Sequence, residues 1–314
     1  MSVSHPVIAI TGSSGAGTST IRDAFAEIFL REKLNATFID GDSFLRYERD
    51  EMTTVIDKAN LEGKPISHFG PDTNRFDLLE KLFKQYGKNG TGRVRDYVHE
   101  DTEGFHGQKP GTFTPEKNIP IDSDLLIYEG LHGGVISKTW TRRRMSSSHN
   151  PVVVERRNLS NSNKGVDVAQ YVDFLIGVVP VVNLEWIQKI HRDRKIKGID
   201  TEQSTSTILR RLQDYIYFMT PQFSLTDINF QRVPLVDTSN PFVAMDVPTA
   251  EESMLVVRFR EPDKYPIQAF LEKFDDAFMS RPNTLVIPGG KLRLALEIIC
   301  TDRIQELVAA SKQA

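Results

Sequence analysis

A glycine-rich turn near the N-terminus constrains the fold of this chain more than any other feature. Residues 12–19 read GSSGAGTS, directly after the apolar run 7–10 and before an amphipathic stretch with helical spacing. In the phosphate-binding loop G-x-x-x-x-G-K-[ST], backbone N–H groups surround the phosphates, the lysine reaches the β- and γ-phosphates and the hydroxyl binds Mg²⁺. Here the glycine spacing and Ser19 match, but Thr18 stands at the lysine position. We therefore predict a nucleotide-binding loop whose missing positive charge comes from elsewhere in the chain.

The motif has a simpler reading, since a Gly/Ser-rich turn between a strand and a helix is often only a tight connection. Its context favours the nucleotide, because a β-branched run precedes it and apolar residues recur at helical spacing after it. A helix that begins there also directs its positive end at an anion. The predicted nucleotide-binding residues are Gly12, Ser13, Ser14, Gly15, Ala16, Gly17, Thr18 and Ser19, and the hydroxyl of Ser19 is also a predicted Mg²⁺ ligand.

Composition excludes several classes of protein. A net charge of -3 over 314 residues gives no overall basic surface for nucleic acid or for an acidic membrane. The single cysteine, Cys300, cannot form a disulfide within the chain, and its apolar context predicts a buried, inert thiol. The N-terminus does not resemble a secretory signal, and no apolar run approaches about 18 residues. We expect a cytoplasmic protein.

Strand-like and helical patterns alternate over the first two-thirds of the chain. This alternation predicts an α/β fold with a mostly parallel sheet flanked by helices, in which ligands bind beyond the carboxyl ends of the strands. In the last third, strands separated by Pro-rich turns and one helix at 267–278 suggest an antiparallel extension of the same sheet, and hence a single domain over 1–314. The predicted strands are 7–11, 36–39, 125–128, 174–179, 229–233, 254–259 and 284–287.

Residues 137–166 do not fit a compact domain. They are polar, rich in Ser and Asn, and basic at one end. Such a composition is typical of a mobile surface insertion. It serves either as a lid over the nucleotide or as a solvated loop without a catalytic role.

Acidic residues follow two of the predicted strands. Asp40 and Asp42 come after the second strand, and Glu129 ends the third. Asp42 could accept the proton of an attacking hydroxyl, typically worth about 10² to 10⁴ in rate, or it could cap a following helix. For Asp40 the capping role is at least as good an interpretation. Glu129 stands where an acid that holds Mg²⁺ is expected in a phosphate-loop protein.

A basic stripe on the predicted helix 184–197 could supply the missing charge. Lys189, Asp193 and Lys197 recur every four residues and share one face, with Arg192 adjacent. The stripe could clamp a triphosphate and its metal, or it could be a solvated face of ion pairs. Arg210 and Arg211 on the next helix carry the same ambiguity. Tyr97 and His99 alternate along an extended segment and would point to one side, toward a sugar or a partly buried surface.

Four motifs together resemble bacterial phosphoribulokinases. They are residues 12–19, 128–133 (YEGLHG), 183–193 (NLEWIQKIHRD) and 237–242 (DTSNPF), and the likeness runs nearly end to end except in the insertion. The resemblance implies an adenylate-kinase-like P-loop kinase fold. It also implies phosphorylation by ATP of the C1 hydroxyl of D-ribulose 5-phosphate, giving ribulose 1,5-bisphosphate for the Calvin cycle.

The resemblance also implies roles for individual residues. Asp42 resembles the general base, and Lys189 and Arg192 resemble the cations that neutralise the transferring phosphoryl group. Asp193 resembles both a residue of phosphoryl transfer and, with Ser19 and Glu129, a ligand of Mg²⁺-ATP. Residues implicated in binding or turnover of the sugar phosphate are matched by Arg49, Tyr97, His99, Arg210 and Arg211. Arg31, Arg258 and Arg281 match arginines of an effector site, where NADH activates and AMP inhibits, and of an octameric assembly.

Three positions depart from the family pattern. The family usually has His, Lys and Arg where this chain has Leu45, Thr53 and Lys197. Leu45 and Thr53 flank Arg49 and would line the sugar-phosphate end of the site, where a charge-assisted contact is worth around 1.5 to 3 kcal/mol. Lys197 keeps the charge but loses the bidentate fork of arginine. A related kinase for another sugar phosphate or a nucleoside is therefore the alternative, and a scaffold protein without catalysis is a third.

Overall fold

The computed structural model describes residues 4–13, 18–63, 66–99, 107–144, 153–156, 164–243 and 246–313. Residues 14–17 of the predicted phosphate loop lie outside this part. Thr18 and Ser19 begin the first helix, but their side chains are also outside it.

An eight-stranded sheet organises the molecule, in the order β11-β12-β10-β9-β8-β1-β5-β2. The five strands from β9 to β2 are parallel, and β10, β12 and β11 extend the sheet antiparallel. The predicted mostly parallel α/β fold is therefore confirmed. The strands are β1 (Val7–Gly12), β2 (Ala36–Asp40), β3 (Arg93–Val94), β4 (Lys117–Asn118), β5 (Leu125–Gly130), β6 (Thr141–Arg144), β7 (Val153–Arg156), β8 (Phe174–Pro180), β9 (Ile228–Pro234), β10 (Ser253–Phe259), β11 (Phe278–Arg281) and β12 (Thr284–Pro288).

Helices cover both faces of the sheet. A short π-helical segment, Tyr215–Met219, joins α5 to α6, and a 3₁₀ turn, Gly41–Phe44, follows β2. We call this 3₁₀ turn the Asp42 turn. The helices are α1 (Thr18–Glu32), α2 (Arg49–Leu61), α3 (Phe76–Asn89), α4 (Val182–Lys197), α5 (Thr201–Asp214), α6 (Thr220–Phe223), α7 (Ile267–Lys273) and α8 (Leu292–Ser311). Among the described helices, none is long and apolar enough to cross a membrane.

Two apolar layers hold the central strands. Ile8 and Ile10 of β1 pack with α1 and α8 on one face, whereas Val7 and Ala9 pack with α3 on the other. Because side chains alternate along a strand, apolar residues at every position bury both faces. Cys300 on α8 is fully buried in the first layer, as predicted, and burial raises the pKa of its thiol.

The structure corrects two expectations for the last third. The strand predicted at 229–233 is β9, which runs parallel to β8, so the antiparallel extension begins only at β10. The helix predicted at 267–278 ends at Lys273, because Phe274 is extended and Asp276 has a φ of 62°. Phe278 instead begins β11.

Part of the predicted insertion forms regular structure. β6 and β7 make an antiparallel pair within residues 137–166. Residues 145–152 and 157–163 of this segment lie outside the described part of the chain. A role as a lid stays a prediction.

Candidate active site

The carboxyl ends of the central parallel strands bring the predicted acids together. β1 ends at Gly12, where the phosphate loop begins, and β2 ends at Asp40. Asp40 lies opposite Glu129 in the register of β2 and β5, and Glu129 lies opposite Ile10 of β1. Asp42, Glu129 and the start of the loop therefore share one edge of the sheet, as the sequence predicts.

Glycine allows the Asp42 turn to lie directly on β5. A Cβ on Gly41 would lie 2.7 Å from the Tyr128 hydroxyl and 2.9 Å from the Gly130 Cα. Asp40 caps this turn, since its side chain accepts a hydrogen bond from the Asp42 backbone N–H at 2.8 Å. The capping interpretation is thus right for Asp40 and wrong for Asp42, whose carboxyl is left available for chemistry.

Asp42 lies in a cluster with Asp40 and His99. The His99 Nε2 atom is 3.3 Å from Asp40 Oδ2 and 3.7 Å from Asp42 Oδ2. Desolvation by the surrounding protein raises the pKa of Asp42 to about 6, with a further rise from the charges of Asp40 and Glu129, while His99 opposes it. The Asp42 side chain remains 41% exposed and so is accessible to a substrate. A carboxylate tuned toward neutral pH is a better general base than an ordinary one.

Tyr97 and His99 do point to one side, as predicted. Their ring centroids are 5.1 Å apart, and Tyr97 also contacts Phe113 edge-on at 5.4 Å. Partial burial raises the pKa of the Tyr97 hydroxyl, which shares a hydrogen bond with Arg49. Arg49, Tyr97 and His99 thus form a row that leads to Asp42.

The side chains of Leu45 and Thr53, the two positions beside Arg49 that depart from the family pattern, contribute to the local structure. Leu45 is only 8% exposed, and Thr53 donates its hydroxyl to the Arg49 backbone carbonyl at 3.1 Å. Neither side chain offers a cation or a ring nitrogen to a phosphate.

Helix α4 begins beside the phosphate loop. It follows β8, which pairs with β1 up to Val178, opposite Gly12 at the start of the loop. Glu185 in its first turn lies against the Ser13 hydroxyl and accepts a hydrogen bond from the Tyr215 hydroxyl at 3.2 Å. Burial raises the pKa of Glu185.

Lys189 lies one turn further along α4 and pairs with Asp193. Their side chains are only 20% and 4% exposed, so the alternative of a solvated ion-pair face is wrong for these two residues. Burial lowers the pKa of Lys189, and the carboxylate of Asp193 opposes this. The predicted stripe therefore starts next to the loop and is largely shielded from water. The Lys197 side chain lies outside the described part of the structure.

The two arginines of α5 diverge. Arg211 lines a pocket with Lys189, Arg192 and Glu185, and burial lowers the pKa of Arg211 to about 10. Arg210 instead points toward the Asn60 side chain on α2, at 3.5 Å. Consecutive helical residues are about 100° apart around the axis, so only one of the two can face the pocket.

The structure separates the three arginines that match the effector site. Arg31 on α1 pairs with Glu297 of α8, on the face that α1 and α8 cover. Arg258 lies on the other face of the sheet, where it donates a hydrogen bond to the Phe223 carbonyl. Arg258 of β10 and Arg281 of β11 both pair with Thr284 of β12. Within one chain, Arg258 and Arg281 flank the same residue of β12, whereas Arg31 lies apart from both.

Sequence reasoning missed two residues that support the site, the half-buried Glu185 and the buried Gln222. Glu185 joins the loop, α4 and the π-helical segment, and a single Glu in a helical stretch gives no signal of this. The Gln222 carbonyl oxygen accepts from the Gly134 N–H at 3.0 Å, and its amide donates to the Leu131 carbonyl at 3.0 Å, which holds the chain after β5. His132 of the same segment is buried, which lowers its pKa to about 4.

The donor set suits the groups that a phosphate loop binds. Glu129 and Asp193 offer carboxylate oxygens, which Mg²⁺ prefers. Lys189, Arg192 and Arg211 offer cations for phosphate oxygens.

Comparisons with known proteins identify the family. The model of the phosphoribulokinase / uridine kinase family matches residues 7–239. The chain belongs to this family. It is 47% identical to a phosphoribulokinase of Sinorhizobium medicae, with 98% of both chains covered, and 48% identical to one of Nitrobacter vulgaris, with 99% of both covered. The solved phosphoribulokinase from Rhodobacter spheroides superposes with a TM-score of 0.82 at 43% identity, over 98% of this chain and 99% of that one. The P-loop kinase fold expected from the sequence is confirmed.

Proposed function

We propose that this protein transfers the γ-phosphoryl group of ATP to the C1 hydroxyl of D-ribulose 5-phosphate, giving ribulose 1,5-bisphosphate and ADP. One observation carries the proposal. In a chain that matches phosphoribulokinases from end to end, the Asp42 turn, Glu129 and the start of the phosphate loop meet at one sheet edge, with a shielded lysine on the neighbouring helix.

Each group has a distinct task in this reaction. Asp42 accepts the proton of the acceptor hydroxyl, and Tyr97, His99 and Arg49 orient the sugar phosphate. Lys189, Arg192 and Arg211 neutralise charge on the transferring phosphoryl group, where fixed cations in a water-poor site act most strongly. Gly12, Ser13 and the residues up to Ser19 hold the nucleotide. Ser19, Glu129 and Asp193 would hold Mg²⁺, which would supply positive charge to the phosphate groups.

The test is ADP release by the purified protein with Mg²⁺-ATP and a panel of phosphorylated pentoses. Ribulose 5-phosphate is expected to give the highest kcat/KM, and Asp42→Asn is expected to lower kcat by about 10² to 10⁴ while ATP affinity stays near wild type. Release that does not depend on ribulose 5-phosphate would refute the proposal. Equal losses of turnover and ATP affinity in Asp42→Asn would assign Asp42 to binding or folding.

A second acceptor class is suggested by Leu45 and Thr53. Both side chains serve the local structure and leave the sugar-phosphate end with fewer polar contacts. A related sugar phosphate or a nucleoside is therefore the alternative acceptor. Leu45→His with Thr53→Lys raises turnover of ribulose 5-phosphate if these positions limit it, and leaves it unchanged if they do not.

The remaining expectations belong to the same proposal. We assign the protein to the cytoplasm and the Calvin cycle, as one domain with a mobile insertion at 137–166 and no nucleic-acid or membrane partner. NADH and AMP are the proposed effectors, and a homo-oligomer, by resemblance an octamer, is the proposed assembly. Because Arg31 lies on the opposite face from Arg258 and Arg281, an effector that touches all three would bridge two chains. Sedimentation with and without NADH tests this.

A further inference from the structure

A second basic cavity lies behind the Asp42 turn. It has a volume of about 250 Å³, and its walls come from the turn, from α3 and from β3 with its neighbours. The cations in its lining are Arg75, Lys81, Arg93 and Arg95, and the apolar residues are Phe44, Leu78, Leu82 and Val94. None of these residues belongs to the group proposed above for phosphoryl transfer.

The cavity keeps an excess of positive charge. Arg75 is paired with Asp77 at 3.0 Å, and Arg93 lies 3.5 Å from Glu116, the only carboxylate of the lining. Lys81 and Arg95 form no ion pair with any carboxylate that the structure describes. Two cations therefore remain after Asp77 and Glu116 are counted. Burial and repulsion by Arg75 lower the pKa of Arg95, and the more distant charges of Glu116 and Glu48 oppose this.

A buried hydroxyl in the lining also lacks a partner. Ser43 is 4% exposed, and its side-chain oxygen accepts or donates no hydrogen bond within the described residues. The hydroxyl oxygen itself has almost no accessible surface, so it would meet a ligand oxygen in the cavity only after rotation of the Ser43 side chain. The cavity is smaller than the roughly 300 to 1,000 Å³ of drug-sized sites, so the ligand is small.

Arg95 connects this cavity to the active site. Its guanidinium donates to the Ser43 carbonyl at 3.2 Å and to the Leu45 carbonyl at 2.5 Å, on either side of Phe44. It also lies 3.4 Å from the centroid of Phe113, the ring that contacts Tyr97. An anion that binds the Arg95 guanidinium competes with the two backbone carbonyls through which Arg95 holds the Asp42 turn.

We infer that this cavity is a second anion site, which binds a small phosphate monoester through Lys81, Arg93 and Arg95 and changes turnover through the Asp42 turn. A monoester suits it better than free phosphate, because the apolar residues beside the cations can cover a short carbon chain. Binding to this cavity can be measured without turnover, so the test of binding does not depend on the proposed function.

Calorimetric titration of the full chain with glycerol 3-phosphate tests binding, with inorganic phosphate and glycerol as separate probes at constant ionic strength. The double variant Lys81→Ala/Arg93→Ala is expected to weaken the Kd of glycerol 3-phosphate at least fivefold. The matched control Lys84→Ala/Lys88→Ala removes the same charge from α3 outside the cavity and should change the Kd less than twofold. Equal weakening in both, or no binding of glycerol 3-phosphate to wild type, would overturn the inference. Binding of inorganic phosphate as tight as that of glycerol 3-phosphate would overturn the monoester assignment.

Two further readouts separate this cavity from the acceptor site. Saturating ribulose 5-phosphate should leave the Kd of glycerol 3-phosphate unchanged, and loss of binding would mean that the probe occupies the acceptor site instead. Saturating glycerol 3-phosphate should lower kcat at least twofold in wild type, and the concentration that gives half of this effect should be at least fivefold higher in Lys81→Ala/Arg93→Ala. An identical effect in both proteins, or none in wild type, contradicts the coupling through Arg95.

Discussion

The charge of Asp40 helps to raise the pH at which the proposed base ionises, and Asp40→Asn tests this. The negative charge of Asp40 contributes to the raised pKa of Asp42. The variant keeps an oxygen that can accept the Asp42 N–H, so the turn should persist. Removing the charge lowers the pKa of Asp42 and moves the acidic limb of the pH–rate profile to lower pH.

The size of this change follows from the geometry. A carboxylate oxygen of Asp40 lies within 4.8 Å of a carboxylate oxygen of Asp42. Two full negative charges at this distance repel each other by at least about 0.9 kcal/mol, even in a water-like dielectric. That energy corresponds to about 0.6 of a pH unit. Because the Asp40 and Asp42 side chains are 40% and 41% exposed, the displacement should stay close to this minimum, at about 0.6 to 1 pH unit.

The assay is kcat/KM for ribulose 5-phosphate from ADP release between about pH 5 and 8, at constant ionic strength. Asp57→Asn on the exposed side of α2 makes the same chemical change away from the cluster and should leave the limb in place. An unmoved limb in Asp40→Asn would show that Asp42 is not the group that titrates. A displacement to higher pH would refute the electrostatic argument itself.

Three other substitutions test parts of the site. Gly41→Ala places a Cβ against the Tyr128 hydroxyl and the Gly130 Cα. It should therefore lower the free energy of unfolding, measured by denaturant titration, by about 1 to 3 kcal/mol. Unchanged stability would mean that the turn can move away from β5. Tyr97→Phe removes the hydrogen bond to Arg49. Because one hydrogen bond contributes about 1 kcal/mol, the KM for the acceptor should rise about fivefold with little change in kcat. A loss confined to kcat would give Tyr97 a different role. Glu185→Gln removes a carboxyl whose folded pKa lies above 4.5, so wild type loses stability relative to the variant as pH rises through that folded value. A stability difference that stays constant between about pH 4.5 and 8 would contradict a raised pKa.

The central strands of the sheet were predictable because they are apolar on both faces. β1, β5 and β8 are short apolar runs between turn residues, and the predicted bounds differ from the observed ones by one or two residues. The helix predicted over 267–278 failed for a physical reason. Phe270 and Phe274 are both buried at helical spacing, but Phe274 reaches the core from an extended backbone.

The acids of the site were predictable, whereas their supporting contacts were not. Asp42 and Glu129 follow strands, and parallel topology brings strand ends to one edge. Lys189 and Asp193 were predictable from helical spacing, but spacing alone could not show that the pair is buried. Glu185 depends on contacts with Ser13 and Tyr215, which are far apart in the sequence. No local pattern carries that information.

The most direct measurement is the single-turnover rate of phosphoryl transfer in Lys189→Met and in Lys189→Met/Thr18→Lys. The central claim is that α4 supplies the positive charge that a standard phosphate loop takes from its own lysine. Lys189→Met should slow transfer more than it weakens ATP binding, since the charge acts most strongly as the phosphoryl group moves. Thr18→Lys should then restore part of the rate by returning the lysine to the loop. A wild-type rate in Lys189→Met would contradict the claim and move the missing charge to another residue.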